Sequence, residues 1–250
     1  MLFLLCSLAL AFDPVLEEVS GGHIDWSALE LEVTITSQHT TGAWQDRRLQ
    51  EQDAHDRLTS IIDKIAADIE VTPGLTAGSL MSGSDALAAR LSDGLRRWGV
   101  EEARYYHRGG VALDGSLDLR IWLAPALVEQ AGAEDLPITG EATGLLVDAR
   151  GHRLTLTLSP ELTTATGQRI VHVSALSENT ARMRTPVIYV SDPADPRTAS
   201  RAGDAPIFAA VAEVQDGVMI LDSASAARLT AQDQIPALVA AGRVVVVVDR

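Results

Sequence analysis

Five consecutive valines, Val244 to Val248, constrain the fold of this chain more than any other stretch of its 250 residues. An unbroken β-branched run has no polar face, so it predicts a strand that is buried on both sides of its sheet. The chain is 46% hydrophobic, which is enough to build the core that such a strand requires. We therefore expect a sheet near the C-terminus that is covered on both faces.

Two earlier stretches have the same form, an apolar run that ends in an aspartate. "GLLVDARG" ends its run at Asp148 and "GVMILDS" at Asp222, just as the valines end at Asp249. Aspartates at the carboxyl ends of neighbouring parallel strands can hold a magnesium ion, with each ligand oxygen roughly 2 Å from the metal. This hypothesis of a metal-dependent enzyme requires the three strands to be parallel, adjacent and in register.

A structural interpretation of the same aspartates needs fewer conditions. Asp222 precedes Ser223 and a predicted helix, as an N-cap does. Asp148 is followed by Arg150, which favours a salt-paired turn, and Asp249 lies one residue from the chain end. We therefore expect these carboxylates to stabilise turns and caps, and we assign no residue a catalytic, cofactor-binding or metal-binding role.

The first half of the chain predicts an α+β domain over residues 21–130, in which an antiparallel sheet is covered by two helices. Strands are indicated by alternation of apolar and polar residues, and helices by apolar residues at three- and four-residue steps. The predicted elements are a strand over 29–35, a helix from 44 to about 67, a helix from Ser84 or Asp85 to Trp98, and strands over 101–107 and 111–123.

The second half predicts a mixed α/β domain over residues 140–250. Gly, Pro and acidic residues over 130–142 are typical of a connection, and we place the boundary near residue 138. "HRLTLTLSPEL" alternates as a strand does, and "DPADPRTASRAGDAP" predicts a polar loop. "TATGQRIVHVSAL" predicts a turn and a strand, "PVIYVSD" is a short apolar run, and "IFAAVAEVQDGVMILD" predicts two strands broken by Gln215 to Gly217. "SASAARLTAQ", residues 223–232, predicts a short helix, and "GRVVVVVD" predicts the last strand.

The N-terminus, "MLFLLCSLALAF", is an apolar run that is too short to cross a bilayer and that resembles a secretory signal. Ala9 and Ala11 supply small residues for cleavage before Phe12, which makes residues 1–11 a predicted signal peptide. Cys6, the only cysteine, has only five residues before it and Leu5 next to it, which is unlike a lipid-attachment site. We expect a mature chain without cysteine, disulfide or membrane-spanning segment.

Charge excludes two classes of partner. The chain has 20 Lys and Arg against 34 Asp and Glu, a formal net charge of −14, and it has no long basic run. Such a surface repels nucleic acid backbones and anionic lipid headgroups. Lys64 is the only lysine, and the scattered arginines give no pattern typical of phosphate recognition.

Motifs for nucleophilic catalysis and phosphate binding are missing from the sequence, which contains no Gly-x-Ser-x-Gly, GxxxxGK[ST] or GxGxxG. Asp192 and Asp195 lie close together in a loop and could chelate calcium weakly, but the stretch lacks the alternating ligands and glycine of a calcium loop, so we expect a solvated turn. The four tryptophans could stack on a glycan, although core packing is the simpler role. These tryptophans are Trp26, Trp44, Trp98 and Trp122.

The histidines do not have the spacing of a zinc site. We expect hydrogen-bonded or surface roles for His23, His39, His55, His107, His152 and His172.

Three stretches, "IDWSALELEV", "RLQEQDAHDRLTSIIDKI" and "ARYYHRGGVALDGSLDL", resemble the N-terminal domain of flagellar assembly protein T and the related LPP-type bacterial lipoproteins. "TGLLVDARG", "AGDAPIFAAVAEVQDGVMILDSASAARL" and "GRVVVVVD" resemble the segment that follows this domain in exported bacterial proteins. The resemblance implies a non-enzymatic envelope protein without cofactor, located in the periplasm or at the outer-membrane periphery. Its implied partners are other envelope proteins, including those of a ring or secretion-type complex.

Overall fold

The computed structural model describes residues 12–37, 47–107 and 110–249. The predicted signal peptide, with Cys6, and also His39 and Trp44 lie outside these residues. The first part of the chain contains, in order, β1 (Leu16–Val19), β2 (Gly22–Asp25), β3 (Glu30–Thr36), α1 (Arg47–Asp68), β4 (Glu70–Thr72), β5 (Leu75–Thr76), α2 (Ala77–Gly83), α3 (Asp85–Leu95), β6 (Gly99–Tyr106), β7 (Gly110–Asp118) and α4 (Leu119–Gln130).

Five of these strands form an antiparallel sheet in the order β1-β2-β3-β7-β6. Helix α1 lies on one face of it, against β3 and β7, and buries Ala54, Leu58 and Ile62. Gly115 in β7 permits this close approach, because a Cβ atom there would lie 2.8 Å from Leu58 Cδ2. The α+β prediction for this part is confirmed.

The predicted second helix is confirmed as α3, and its cap is Ser84, whose side chain accepts a hydrogen bond from the Leu87 amide. Helix α3 packs on α4. Trp122 of α4 is buried there, and its Nε1 donates to the Leu91 carbonyl at 3.0 Å. The two helices thus form a layer that is tied together by one indole hydrogen bond.

The prediction of a strand over 111–123 is wrong after Asp118. The Asp118 carboxylate accepts a hydrogen bond from the Ile121 amide at 3.0 Å and caps α4 instead. Beyond this cap the buried residues recur at helical spacing, because one face of α4 is apolar; they are Leu119, Trp122, Leu123, Ala126 and Leu127.

The second part of the chain forms a curled mixed sheet with strand order β10-β9-β13-β12-β8-β14-β11. The strands β12, β8, β14 and β11 are parallel, and β13 is antiparallel to β12. The elements are β8 (Gly144–Asp148), β9 (Glu161–Thr163), β10 (Arg169–Val171), a 3-10 turn (Val173–Ala175), α5 (Glu178–Met183), β11 (Val187–Val190), α6 (Pro196–Ala202), β12 (Pro206–Gln215), β13 (Val218–Leu221), α7 (Ser223–Thr230), α8 (Ile235–Ala240) and β14 (Val244–Val247).

The five-valine run behaves as predicted. Strand β14 lies between β8 and β11, and all four of its residues are buried, so both of its faces are covered. Helix α6 packs over β14, β8 and β11, and Val245 and Val247 lie with Ala202 in one buried cluster. Val244 and Val246 belong to the main core.

Two expectations for the second part are wrong. The predicted loop over 192–206 contains α6, because Asp195 caps the helix, Pro196 begins it and Gly203 follows its end. The alternating segment 152–158 is outside every strand, and of "HRLTLTLSPEL" only Glu161 and Leu162 lie in a strand, as the first two residues of β9. Helix α8, which the sequence reading omitted, covers β8.

The two parts share one contiguous core. The rings of Trp26 and Tyr189, one from each part, meet edge to face with centroids 5.9 Å apart. The Leu158 amide donates to the Glu70 carbonyl at 3.0 Å, and the Ser159 amide donates to the Val71 carbonyl at 2.8 Å. Backbone hydrogen bonds and aromatic packing therefore join the two halves.

Across the described ranges, no helix has the length and apolarity that a membrane span requires.

Candidate functional site

The three strand-ending aspartates are not brought together in the way the metal hypothesis requires. Strands β8 and β14 are adjacent and parallel, with Val247 paired to Asp148. Strand β13, which precedes Asp222, runs antiparallel to β12 and is separated from β8 by that strand. The condition of three adjacent parallel strands is therefore not met.

Asp148 forms the predicted pair with Arg150. Its two carboxylate oxygens accept hydrogen bonds from Arg150 Nε at 2.8 Å and Nη2 at 2.6 Å. The hydrogen bond from this guanidinium is the main reason that the pKa of Asp148 lies below its ordinary value. Asp249 accepts a hydrogen bond from the Gly151 amide at 2.6 Å, so both carboxylates stabilise the turn after β8.

Asp222 caps α7, as predicted, by accepting a hydrogen bond from the Ser225 amide at 2.6 Å. This backbone hydrogen bond is the main cause of its lowered pKa. Within the described part of the chain, no three His, Cys, Asp or Glu side chains are grouped as metal ligands. Each of the three aspartates has a local structural partner.

Asp192 and Asp195 occupy a turn, but their environments differ. Asp192 is partly exposed and accepts a hydrogen bond from the Ala194 amide at 2.8 Å. The side chain of Asp195 is only 2% exposed and accepts from Arg197 Nη2 at 2.5 Å and from Arg197 Nε at 3.0 Å. The guanidinium of Arg197 lowers the pKa of Asp195. The expectation of a solvated turn therefore fits Asp192 only.

Several of the described histidines and tryptophans form hydrogen bonds or pack against other side chains. His152 Nε2 lies 3.1 Å from the Val211 carbonyl oxygen, and His172 Nδ1 lies 2.8 Å from Ser174 Oγ. Burial is the main cause that lowers the pKa of His172. Trp26 and Trp122 are buried in the core, as predicted, and the Trp98 ring contacts His55 with centroids 4.9 Å apart.

The open face of the first sheet is acidic. A shallow concavity of about 640 Å³ lies on it, and Arg104 is the only basic residue among those that line it. Arg104 Nη2 lies 2.7 Å from Asp114 Oδ1, and Arg104 Nη1 lies 3.4 Å from Glu102 Oε2. The acidic residues of this face are Glu30, Glu32, Glu101, Glu102 and Asp114.

A larger groove, of about 880 Å³, lies between the two parts of the chain. One wall is the edge strand β1, another is the second half of α1, and Thr155 and Leu156 contribute from the second part. The groove is apolar inside and acidic at its rim, and Lys64 is the only cation among the described residues that line it. Its apolar lining consists of Val19, Ile24, Trp26, Ile61, Ile65, Ile69 and Leu156, and its acidic lining of Glu17, Glu18, Asp68 and Glu70.

The backbone on both sides of this groove has unused hydrogen-bonding groups. Strand β1 ends its sheet and pairs only with β2. Residues 153–156 lie outside every strand and helix, and their backbone groups form no hydrogen bond with the described residues. An unpaired extended chain has one free donor and one free acceptor per residue, and an edge strand has them on alternate residues, which makes both walls suitable for strand addition.

Sequence reasoning missed this groove because it depends on contacts between distant segments. One signal was present. The alternation in "HRLTLTL" predicted a strand, and the structure shows alternating exposure over the same residues without a ladder partner. A segment with the sequence pattern of a strand and no strand neighbour indicates a place where a partner can bind.

Residues 144–250, from the first residue of β8 to the chain end, match the family model described as the second domain of Tp0624 from Treponema pallidum. No curated protein matches the chain. The second part of this chain is thus similar to the second domain of Tp0624.

Proposed function

We propose that this chain is a non-enzymatic, exported cell-envelope protein that acts by binding other proteins. In this proposal it resides in the periplasm or at the outer-membrane periphery and serves as an assembly or interaction factor. The apolar signal-like N-terminus supports export. The resemblance of the first part to flagellar assembly protein T supports a role in a ring or another envelope complex.

The observation that carries the proposal is the groove between β1, α1 and residues 155–156. Its floor offers aliphatic side chains, and two of its walls offer unpaired backbone groups. These are the two components of recognition by strand addition, in which main-chain hydrogen bonds give affinity and pockets for alternate side chains give specificity.

The acidic rim of the groove indicates the charge of the segment that it binds. The rim carries Glu17, Glu18, Asp68 and Glu70 against the single cation Lys64. Such a rim favours an extended segment with basic residues and disfavours an acidic one. We therefore expect the bound segment to alternate apolar and basic residues over about one strand length, five or six residues.

Binding can be tested with a labelled peptide that alternates valine and lysine, measured by fluorescence polarisation. We expect saturable binding that Leu156→Asp weakens at least about tenfold, because this substitution places a charge in the apolar floor. Met183→Asp, on the exposed surface of α5, is the matched control and should bind normally. Equal affinity for a valine and glutamate peptide would contradict the proposed site.

Cell fractionation tests the location. We expect the protein in the periplasmic or outer-membrane fraction, and recovery in the cytosol would overturn the export part of the proposal. A photo-reactive residue at exposed Thr155 should crosslink to a partner in intact envelopes, and Leu156→Asp should abolish the crosslink. Folding of each variant is checked by circular dichroism, so that loss of binding is not loss of structure.

A further inference from the structure

The opposite edge of the first sheet, β6, carries a second open surface that the groove does not include. Strand β6 ends the strand order at this side, and all eight of its residues are exposed. Three of them are large and apolar or aromatic, with exposed fractions of 45% for Val100, 49% for Tyr105 and 51% for Tyr106. Among the described residues, only β7 pairs with this strand.

Open edge strands are normally protected, and β6 has only partial protection. A bulge between Val100 and Glu102 disturbs its first residues, but pairing with β7 is regular from Glu102 to Tyr106. Charged side chains can also block unwanted pairing. Here the charges of the regular stretch are of both signs, Glu102 and Arg104, and they lie on either side of Ala103.

The arrangement of these charges is self-complementary. If two β6 strands pair antiparallel about Ala103, Glu102 of each copy lies directly opposite Arg104 of the other. Both side chains lie on the open face of the sheet, where they already approach each other at 3.4 Å within one chain. Opposite charges directly across a ladder are favourable, whereas like charges are unfavourable, and a two-fold axis through Ala103 gives two favourable pairs.

On the other face of β6, contacts with α1 hold the Tyr105 side chain in place. Tyr105 lies toward α1, with the Arg47 guanidinium 4.8 Å from the centre of its ring. Its hydroxyl is hydrogen-bonded to Glu51, which raises the pKa of Tyr105. Because this ring is held by two residues of α1, ordering it on association costs little side-chain entropy.

We propose that the protein forms a two-fold dimer through β6, in which two five-stranded sheets join into one continuous antiparallel sheet. The occupant of this edge is therefore a second copy of the chain. The claim is independent of the groove, which lies at the β1 edge of the same sheet and stays accessible in the dimer.

Charge reversal tests the proposed register by sedimentation velocity on the purified protein. We expect the wild-type protein to be dimeric. Glu102→Arg and Arg104→Glu each place like charges across the two-fold axis and should weaken the dimer at least about tenfold. Arg182→Glu, which removes the exposed ion pair with Glu178 on α5, is the matched control and should stay dimeric.

Two further measurements distinguish broken pairing from misfolding. An equimolar mixture of the two single variants should form a heterodimer, because each chain then supplies the charge that the other lacks. The double variant Glu102→Arg with Arg104→Glu should recover the homodimer. A monomeric wild-type protein, or single variants that dimerise as well as the wild type, would overturn the proposal, and failure of the mixed and double variants to associate would overturn the register.

Discussion

The two sheets of this protein bury their strands in different ways. Strand β3 of the first sheet alternates buried and exposed residues, so that its open face is charged. Strand β14 of the second sheet buries all four of its residues. Among the described residues, the first sheet leaves both of its edges and one face open, whereas the centre of the second sheet is covered on both faces. Potential binding surfaces are therefore concentrated on the sheet with one covered face.

Aspartate substitutions at successive strand positions give the strongest test of this difference in burial. Val245→Asp and Val246→Asp point to opposite faces of β14, and each should cost about 4 kcal/mol or more, because a carboxylate enters an apolar core. In β3, Val33→Asp should be similarly severe and Glu32→Asp should cost less than about 0.5 kcal/mol. Urea unfolding measures each change, and tolerance of Val245→Asp would show that α6 does not cover that face.

Helix α6, which covers one face of β14, can be destabilised at its first turn. Asp195→Asn removes a charge that caps the helix and pairs with Arg197, and we expect a loss of about 2 kcal/mol at neutral pH. The pKa of Asp195 is lowered in the folded state. Its contribution to the free energy of unfolding is therefore fully present above the unfolded pKa, about 3.9, and is lost as the pH falls from there through the folded-state pKa.

The pH dependence of this loss is its check. The difference in unfolding free energy between wild-type and Asp195→Asn proteins should shrink as urea titrations are moved from pH 7 toward pH 3. Asp192→Asn, in the same turn, is the control and should have a smaller effect because its side chain is partly exposed. A difference that stays constant over this range would mean that the charge of Asp195 does not stabilise α6.

A small effect is expected for the turn after β8. Asp148→Asn weakens its contact with Arg150, a pair whose guanidinium is largely exposed, and should cost about 0.5 kcal/mol. Thermal unfolding with and without magnesium checks the structural role. A rise in melting temperature with magnesium that Asp148→Asn abolishes would restore the metal hypothesis and contradict the turn assignment.

Local sequence signals predicted two elements correctly. The Ser84 cap with its apolar stripe gave α3, and the valine run gave a strand buried on both faces. Two of the errors arose where one residue decides between alternatives. Asp118 and Asp195 begin helices where alternation and proline content favoured a strand and a loop. Helix caps and turns use the same residue types, so only the residues that follow the aspartate distinguish a helix start from a turn.

The candidate surfaces were less predictable than the elements. The groove exists because residues 155–156 lie next to β1 and α1, and no local pattern specifies that neighbourhood. The open edge of β6 depends on strand order, which a single sequence does not encode in any short motif. The aspartate turns were predictable, since Asp148 and Arg150 are two residues apart and Asp222 adjoins its helix.

The edge-to-face contact of Trp26 with Tyr189 has a consequence for biosynthesis. The chain leaves the ribosome from its N-terminus, so the indole of Trp26 is made long before the phenol ring that covers it. Until then the first sheet has an uncovered aromatic surface and β4 lacks the backbone partners at residues 158–159. Such partly completed chains are prone to aggregation. The core that the two parts share can therefore be completed only after more than two thirds of the 250 residues have been made.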